Sequence, residues 1–311
     1  MKIYDAHQDI AANIQLVTNK SFFKRNKINE CHINSNYNCV NQVDYPRLVD
    51  GNVGLVFATI FAQSKRQALE QFDIYKKIID TNKNIIPILT KNDLLSLEDN
   101  QIGFFFNMEG ASPLEKIDDI DLFYEMGLRS IGIAWREENR YIKDGKLSVY
   151  GLSLIKLIEE KNIILDVAHM SESLFWNVIS YYNKPFIVSH TACRAVYNDD
   201  RNLSDEQIKE VKKRGGLIGI AGVNLLVGGN KISDIVKNIK HVIEQSSIEN
   251  VCLGSDFDGM VNAKLSLIKG FEDVACYSNL INEMSDIFIK KDVEKIAYRN
   301  LYNFILVFTK M

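Results

Sequence analysis

Residues 163–190 read IILDVAHMSESLFWNVISYYNKPFIVSH. Ile163–Val167 is an apolar, β-branched run of strand length, Ser171–Tyr182 has helical periodicity, and Phe186–Val188 is a second apolar run. The spacing predicts a strand, a helix and a further strand. A histidine stands closely behind each strand, His169 after the first and His190 after the second.

The same alternation extends in both directions. Apolar runs at Lys2–Tyr4, Val53–Ile60, Gly103–Phe106, Ser130–Ala134, Leu217–Ile220 and Val251–Leu253 bring the strand candidates to eight. Helical periodicity marks Arg66–Asp80, Ile117–Met126, Ser153–Glu160, Ser204–Lys213 and Ser233–Gln245, with further helices towards the C-terminus. Ser204 and Gln207 have the spacing of a capping box. Strands nearly continuous in apolar residues belong to a parallel sheet covered by helices. Eight β-to-α steps favour an α/β fold of the (β/α)8 TIM-barrel type over a doubly wound open sheet. No Pro-, Gly- or Ser-rich linker divides the chain, so residues 1–311 are expected to form a single (β/α)8 domain. Residues 18–48, rich in Asn and Lys, read as a long excursion after the first strand, lying over the barrel mouth.

Composition narrows the function. With 40 acidic and 37 basic residues, a net charge of -3 and no basic block, nucleic acid is not an expected partner. The apolar runs fall short of the roughly 18 residues of a membrane span. The opening Met-Lys-Ile-Tyr-Asp-Ala-His-Gln-Asp lacks the apolar core of a signal peptide. Five scattered cysteines, without a CxxC pair, fit reduced thiols and a cytoplasmic location. Cys31, His32 and Cys39 lack a fourth partner at finger spacing and read as loop, and His241 sits in a helical segment away from the other candidates. The glycines Gly215, Gly216 and Gly219 do not form a nucleotide loop, and no GxSxG nucleophile motif occurs.

The residues just beyond the apolar runs carry the chemistry. His7 and Asp9 come after the first strand, Glu109 after the third, His169 after the fifth, His190 after the sixth, and Asp256 and Asp258 after the eighth. Barrel enzymes carry their functional groups at the C-terminal ends of the strands, so these residues should converge on one face. One histidine at a strand end is ordinarily a hydrogen-bonded rim residue, but their joint occurrence with carboxylates has few structural explanations. Residues i and i+2 share one side of a pleat, so His7 and Asp9 can chelate one ion. Imidazole with carboxylate suits zinc or another divalent transition ion, and the absence of a thiolate points to a catalytic site. Glu109 is the candidate to bridge two ions, which sit roughly 3.5–4 Å apart in two-metal hydrolases.

The strings Asp5-Ala-His-Gln-Asp9, Met108-Glu-Gly110, Leu165-Asp-Val-Ala-His-Met-Ser171, Ser189-His-Thr-Ala-Cys-Arg-Ala-Val196, Arg201-Asn-Leu-Ser-Asp-Glu-Gln207 and Gly254-Ser-Asp-Phe-Asp-Gly259, with Asp44-Tyr-Pro-Arg-Leu48 and Arg299-Asn-Leu301, resemble the membrane (renal) dipeptidase family, peptidase M19, of the amidohydrolase superfamily. The resemblance runs nearly end to end. It implies two divalent ions, zinc first among them, with His7 and Asp9 holding one, His169 and His190 the other, and Glu109 bridging. It further implies that Arg201 binds the free carboxylate of a dipeptide, as a guanidinium is shaped to do, and that Asp256 carries the proton transfers. A hydroxide bridging the metals is the implied nucleophile, and a homodimer is expected by analogy with relatives.

One position departs from the family. After the fourth strand its better known members carry a histidine that contacts substrate, whereas this chain has Trp135. An indole N–H donates one hydrogen bond but cannot become cationic. Two other readings therefore stand beside the dipeptidase: hydrolysis of a lactone, cyclic amide or N-acyl amino acid, and a metal-loaded barrel with little turnover.

Overall fold

Eight strands succeed one another around a ring in the computed structural model, which describes residues 1–16, 20–28, 40–135, 138–259 and 267–308. They are β1 (Ile3–Gln8), β2 (Val53–Phe61), β3 (Ile102–Glu109), β4 (Leu128–Gly132), β5 (Ile164–Asp166), β6 (Ile187–Thr191), β7 (Leu217–Ile220) and β8 (Val251–Leu253). Each pairs in parallel with the next, and β8 returns to β1 through Leu253 and Asp5. This closed parallel barrel with outer helices is the (β/α)8 fold the sequence predicts.

Alternation along the strands explains why the ring closes. Val56, Ala58 and Ile60 of β2 pack against the helical layer, including Phe72 and Tyr75 of the helix Lys65–Thr81. Leu55 and Phe57 point the other way, joining Phe105, Ile164, Ile187, Leu217, Cys252 and Ala6 in the barrel interior. Only the axis of the barrel can be reached from all those strands, and their side chains fill it. The helix Asn300–Phe308 seals its lower end, where Leu301, Phe304, Ile305 and Phe308 join the same cluster as Tyr4.

The expected helices are present at Lys65–Thr81, Asp119–Glu125, Val149–Lys161, Glu172–Ile179, Asp205–Lys213 and Ile232–Gln245. The capping box forms as its spacing predicts: Ser204 Oγ accepts from Gln207 N, while the Gln207 side chain accepts from Ser204 N. Strand ends differ from the sequence expectation. His7, Glu109 and His190 lie inside β1, β3 and β6, because pairing carries the strands past their apolar runs; Glu109, for example, is in register with Phe61. A short strand, Ile85–Pro87, pairs with the lower half of β3 and is too brief to leave a periodic signal.

The excursion after β1 begins with the helix Ile10–Leu16 and ends with the helix Tyr45–Asp50, which Asp44 caps by accepting from Arg47 N. Its described part is tied to the loop after β8, at the mouth. Lys20 Nζ donates to Asp258 Oδ2 at 2.6 Å and to Asn13 Oδ1 at 2.7 Å, while Gln42 N and Val43 N donate to Asp258 Oδ1 at 2.7 and 3.2 Å. Cys31, His32 and Cys39 lie outside the described residues.

Candidate metal centre

At the C-terminal face the strands bring together every metal-ligand candidate. His7 Nε2 lies 3.3 Å from Asp9 Oδ2, 3.7 Å from Glu109 Oε2 and 3.9 Å from Asp256 Oδ1. Glu109 turns its other oxygen to the opposite side of the barrel, with Oε1 2.5 Å from His169 Nε2 and 3.7 Å from His190 Nε2. The two imidazoles meet at 2.8 Å between their Nε2 atoms. Glu109 thus stands between a His7–Asp9 pair and a His169–His190 pair. Donor atoms of His7, Glu109 and His190, and again of His7, Asp9 and Asp256, fall within 4.8 Å of one another.

These residues fit divalent ions. His7 Nε2 and Asp9 Oδ1 are buried without a hydrogen-bond partner, which is expensive unless a cation takes the lone pair. The far nitrogens are held elsewhere: Ser189 Oγ lies 3.0 Å from His190 Nδ1 and 3.4 Å from His7 Nδ1. Fixing Nδ1 in this way leaves Nε2 to coordinate.

Without a metal the electrostatics of the cluster are strained. Burial would lower the His7 pKa, but Asp9, Glu109 and Asp256 outweigh it and raise it to about 10. His190, buried beside His7, His169 and Arg201, is driven well below the ordinary histidine range. Burial raises the Asp9 carboxyl, and the Glu109 charge adds to the effect. Asp256 is pushed up to about 7, first by burial, with Asp9 and Glu109 reinforcing it against His7 and Arg201. Two of the residues have left-handed backbone, His169 at φ 66° and Asp256 at φ 62°. Non-glycine residues take that conformation at a cost of roughly 1–3 kcal/mol, and such strain gathers at functional sites.

Arg201 reaches the same centre, its Nη2 3.0 Å from His169 Nε2 and 3.4 Å from His190 Nε2. It borders a cavity of about 450 Å³ shared with His169, Met170, Glu172 and Arg194. Trp135 stands at the mouth, half-buried, its ring 6.3 Å from that of His169. Asp258 is not in the cluster's chemistry, since both its oxygens are taken by Lys20 and the backbone of residues 42 and 43. His241 pairs with Asp205 on the outer helices at 2.7 Å.

Four residues that shape the site lie outside the candidates the sequence offers, although Asp5, Asp166 and Ser189 stand in the family strings. Phe61 packs on Trp135 with ring centroids 4.6 Å apart, Ser189 orients two imidazoles, and Asp5 and Asp166 accept backbone N–H groups beneath them. Phe61 ends an apolar strand and looks like core; only its register with Glu109 reveals that it faces the mouth.

Comparison with known proteins settles the family. The family model described as membrane dipeptidase (peptidase family M19) matches residues 1–307. The chain belongs to the membrane dipeptidase family. Membership in this metallopeptidase family implies divalent metal binding and a dipeptide substrate, and the cluster supplies candidate ligands. Among curated proteins, the chain is 30% identical to an uncharacterized protein in the pqqA 5' region of Klebsiella pneumoniae, over 65% of this chain and 81% of that one. It is 25% identical to dipeptidase tcpJ of Claviceps purpurea, over 83% of this chain and 67% of the other. A metallo peptidase from Rhodobacter sphaeroides, solved with a phosphinate mimic of the dipeptide L-Ala-D-Ala, superposes with a TM-score of 0.83 at 19% identity, covering 99% of each chain. That likeness is one of fold. Among the described residues of this family member, no helix is long and apolar enough to cross a membrane.

Proposed function

We propose that the protein is a zinc dipeptidase with a dinuclear centre, built on one (β/α)8 unit spanning residues 1–311. The observation that carries this reading is the position of Glu109, with one carboxylate oxygen towards His7 and the other towards His169 and His190. In this reading His7 and Asp9 hold one ion, His169 and His190 the second, and Glu109 bridges. When bound, the two ions supply a water activated at neutral pH and Lewis acidity towards the peptide carbonyl.

The chain's own residues do the rest. Arg201 lies beside the His169–His190 pair, where a guanidinium can take the substrate's terminal carboxylate in a bidentate grip. Asp256, 3.9 Å from His7 Nε2, is the carboxylate that this reading assigns to receive a proton and return it to the leaving amine. Trp135, packed on Phe61, offers an apolar wall rather than a cationic donor and so selects side chains. A cytoplasmic location is part of the proposal, supported by the free thiols of Cys193, Cys252 and Cys276, as is assembly into a homodimer.

The test is a library of dipeptides, N-acyl amino acids and lactones offered to the zinc-reconstituted protein. Cleavage confined to dipeptides with a free C-terminus is the expected result. Faster turnover of lactones or N-acyl amino acids would move the assignment to another amidohydrolase reaction, and a zinc-loaded protein inert to all of them would end the enzymatic reading.

A further inference from the structure

Asp5 and Asp166 are buried carboxylates outside the proposed ligand set, and the two make the same pair of bonds. Asp166 Oδ1 accepts from Ala168 N, two residues ahead, at 3.0 Å, and from Ser189 N on the neighbouring strand at 3.0 Å. Asp5 Oδ1 accepts from His7 N, again two residues ahead, at 3.2 Å, and from Ser255 N beyond its neighbouring strand at 2.8 Å. In each case the neighbour's serine immediately precedes a site residue: Ser189 precedes His190, and Ser255 precedes Asp256. One oxygen therefore ties together two strand ends, β5 to β6 and β1 to β8. Asp5 adds a second tier, its Oδ2 accepting from Ser255 Oγ at 2.5 Å, Gln8 Nε2 at 2.6 Å and Tyr277 Oη at 2.6 Å.

The strained residues lie at these ties. His169 comes three residues after Asp166, and Asp256 directly after Ser255; both have positive φ. A left-handed histidine or aspartate persists only where its surroundings over-determine it. A buried carboxylate accepting two backbone N–H groups supplies that constraint, because charge-assisted bonds are stronger than neutral ones and neither N–H has an alternative in solvent.

We propose that Asp5 and Asp166 are paired positioning residues, each clasping two strand ends so that one half of the metal centre is held in coordinating geometry. Asp166 serves the His169–His190 half and Asp5 the half around His7, Asp9 and Asp256. The assignment of halves rests on the dinuclear reading above, whereas the clasp itself does not.

Two measurements separate those layers. Amide hydrogen exchange in metal-free protein reads the clasp alone: Asp166→Ala should speed exchange at Ala168 and Ser189 by at least tenfold, with distant strands unchanged. Asp166→Asn, which keeps the accepting Oδ1, should stay within about threefold of native. Metal competition against a chromophoric chelator reads the consequence. Asp166→Ala should weaken one of two ions by roughly 10–100-fold and leave the other, Asp5→Ala should weaken the opposite one, and Asp166→Asn should largely restore binding. Exchange at Ala168 and Ser189 unaltered by Asp166→Ala would overturn the clasp. Faster exchange with both ions held as in the native protein would overturn the positioning role. A native protein that binds no zinc would fail the dinuclear reading while leaving the exchange result intact. Among the described residues Asp166 makes only the two Oδ1 side-chain bonds, so its variants carry the test should Asp5→Ala fail to fold.

Discussion

Lys20→Met removes the charge that closes the excursion after β1 onto the loop after β8. In the native protein neither the Lys20 nor the Asp258 side chain is exposed, and their 2.6 Å contact is the Asp258 carboxylate's one ion pair among the described residues. Burial raises the Asp258 carboxyl, with Lys20 and the backbone donors of residues 42 and 43 pulling it back. Breaking a buried pair on one side costs about 3–5 kcal/mol. At roughly 2 °C per kcal/mol for a chain of this size, the midpoint of thermal unfolding should fall by about 6–10 °C at pH 8. The pH dependence has a definite sign. Without Lys20 the folded-state carboxyl rises further above its unfolded value, so stability is retained at low pH and lost as pH rises through the folded value. The deficit should therefore shrink by pH 5, and Lys20→Met/Asp258→Asn should recover part of it at pH 8. Circular dichroism melts of the three proteins at both pH values suffice. A loss under about 2 °C at pH 8, or a deficit that grows on acidification, would refute the reasoning.

Elemental analysis after gentle purification should find two divalent ions per chain, and Glu109→Gln should lose more metal than Asp9→Asn, because both its oxygens face imidazoles; saturation at one ion with full activity would contradict this. Amidating the substrate's C-terminus should slow hydrolysis by about one to two orders of magnitude, the equivalent of a charge-assisted pair worth roughly 1.5–3 kcal/mol, and equal rates would remove Arg201 from substrate binding. Trp135→His should reorder which dipeptides are cleaved without a general rise in kcat, since the indole packs on Phe61 as a wall; a uniform rise in steady-state assays would assign the position to charge stabilisation instead. In chelated protein, Asp256→Asn should be more stable than native at pH 8, with a gap that narrows on acidification and closes only below the unfolded carboxyl value of roughly 4, because the stability linked to a carboxyl raised to about 7 is lost as pH climbs from the unfolded value through the folded one. The opposite ordering in melts would show that Asp256 is not raised.

The barrel was legible because its determinants are local. Eight apolar runs separated by helical periodicity force a parallel sheet, and the site residues stand at fixed offsets from those runs, so His7, Asp9, Glu109, His169 and His190 could be named before any contact was known. The residues that escaped depend on register. Phe61 and Phe57 have the same residue type on the same face of β2, and only pairing with Glu109 places one at the mouth and the other in the interior. Asp5 and Asp166 stand inside the family strings but were given no role there, because their partners are backbone groups up to 250 residues away. Asp256 and Asp258 alternate along one loop, and only the resemblance singled out Asp256; what Asp258 does instead depends on Lys20, 238 residues distant.

The seal at the lower end of the barrel has a consequence in time. Tyr4 and Ala6 share their apolar cluster with Leu301 and Phe304, some 300 residues downstream. At ribosomal speeds of about 5–20 residues per second, roughly 15 to 60 s separate the emergence of these two sets of side chains. Until residues 251–253 emerge β1 lacks β8, and to the end of the interval it lacks the sealing helix, so first its unpaired edge and then its apolar face are open to other nascent chains. Chaperone dependence during synthesis should therefore track the delay before residues 300–308 emerge, so that slowing translation anywhere along the intervening message lengthens the vulnerable period.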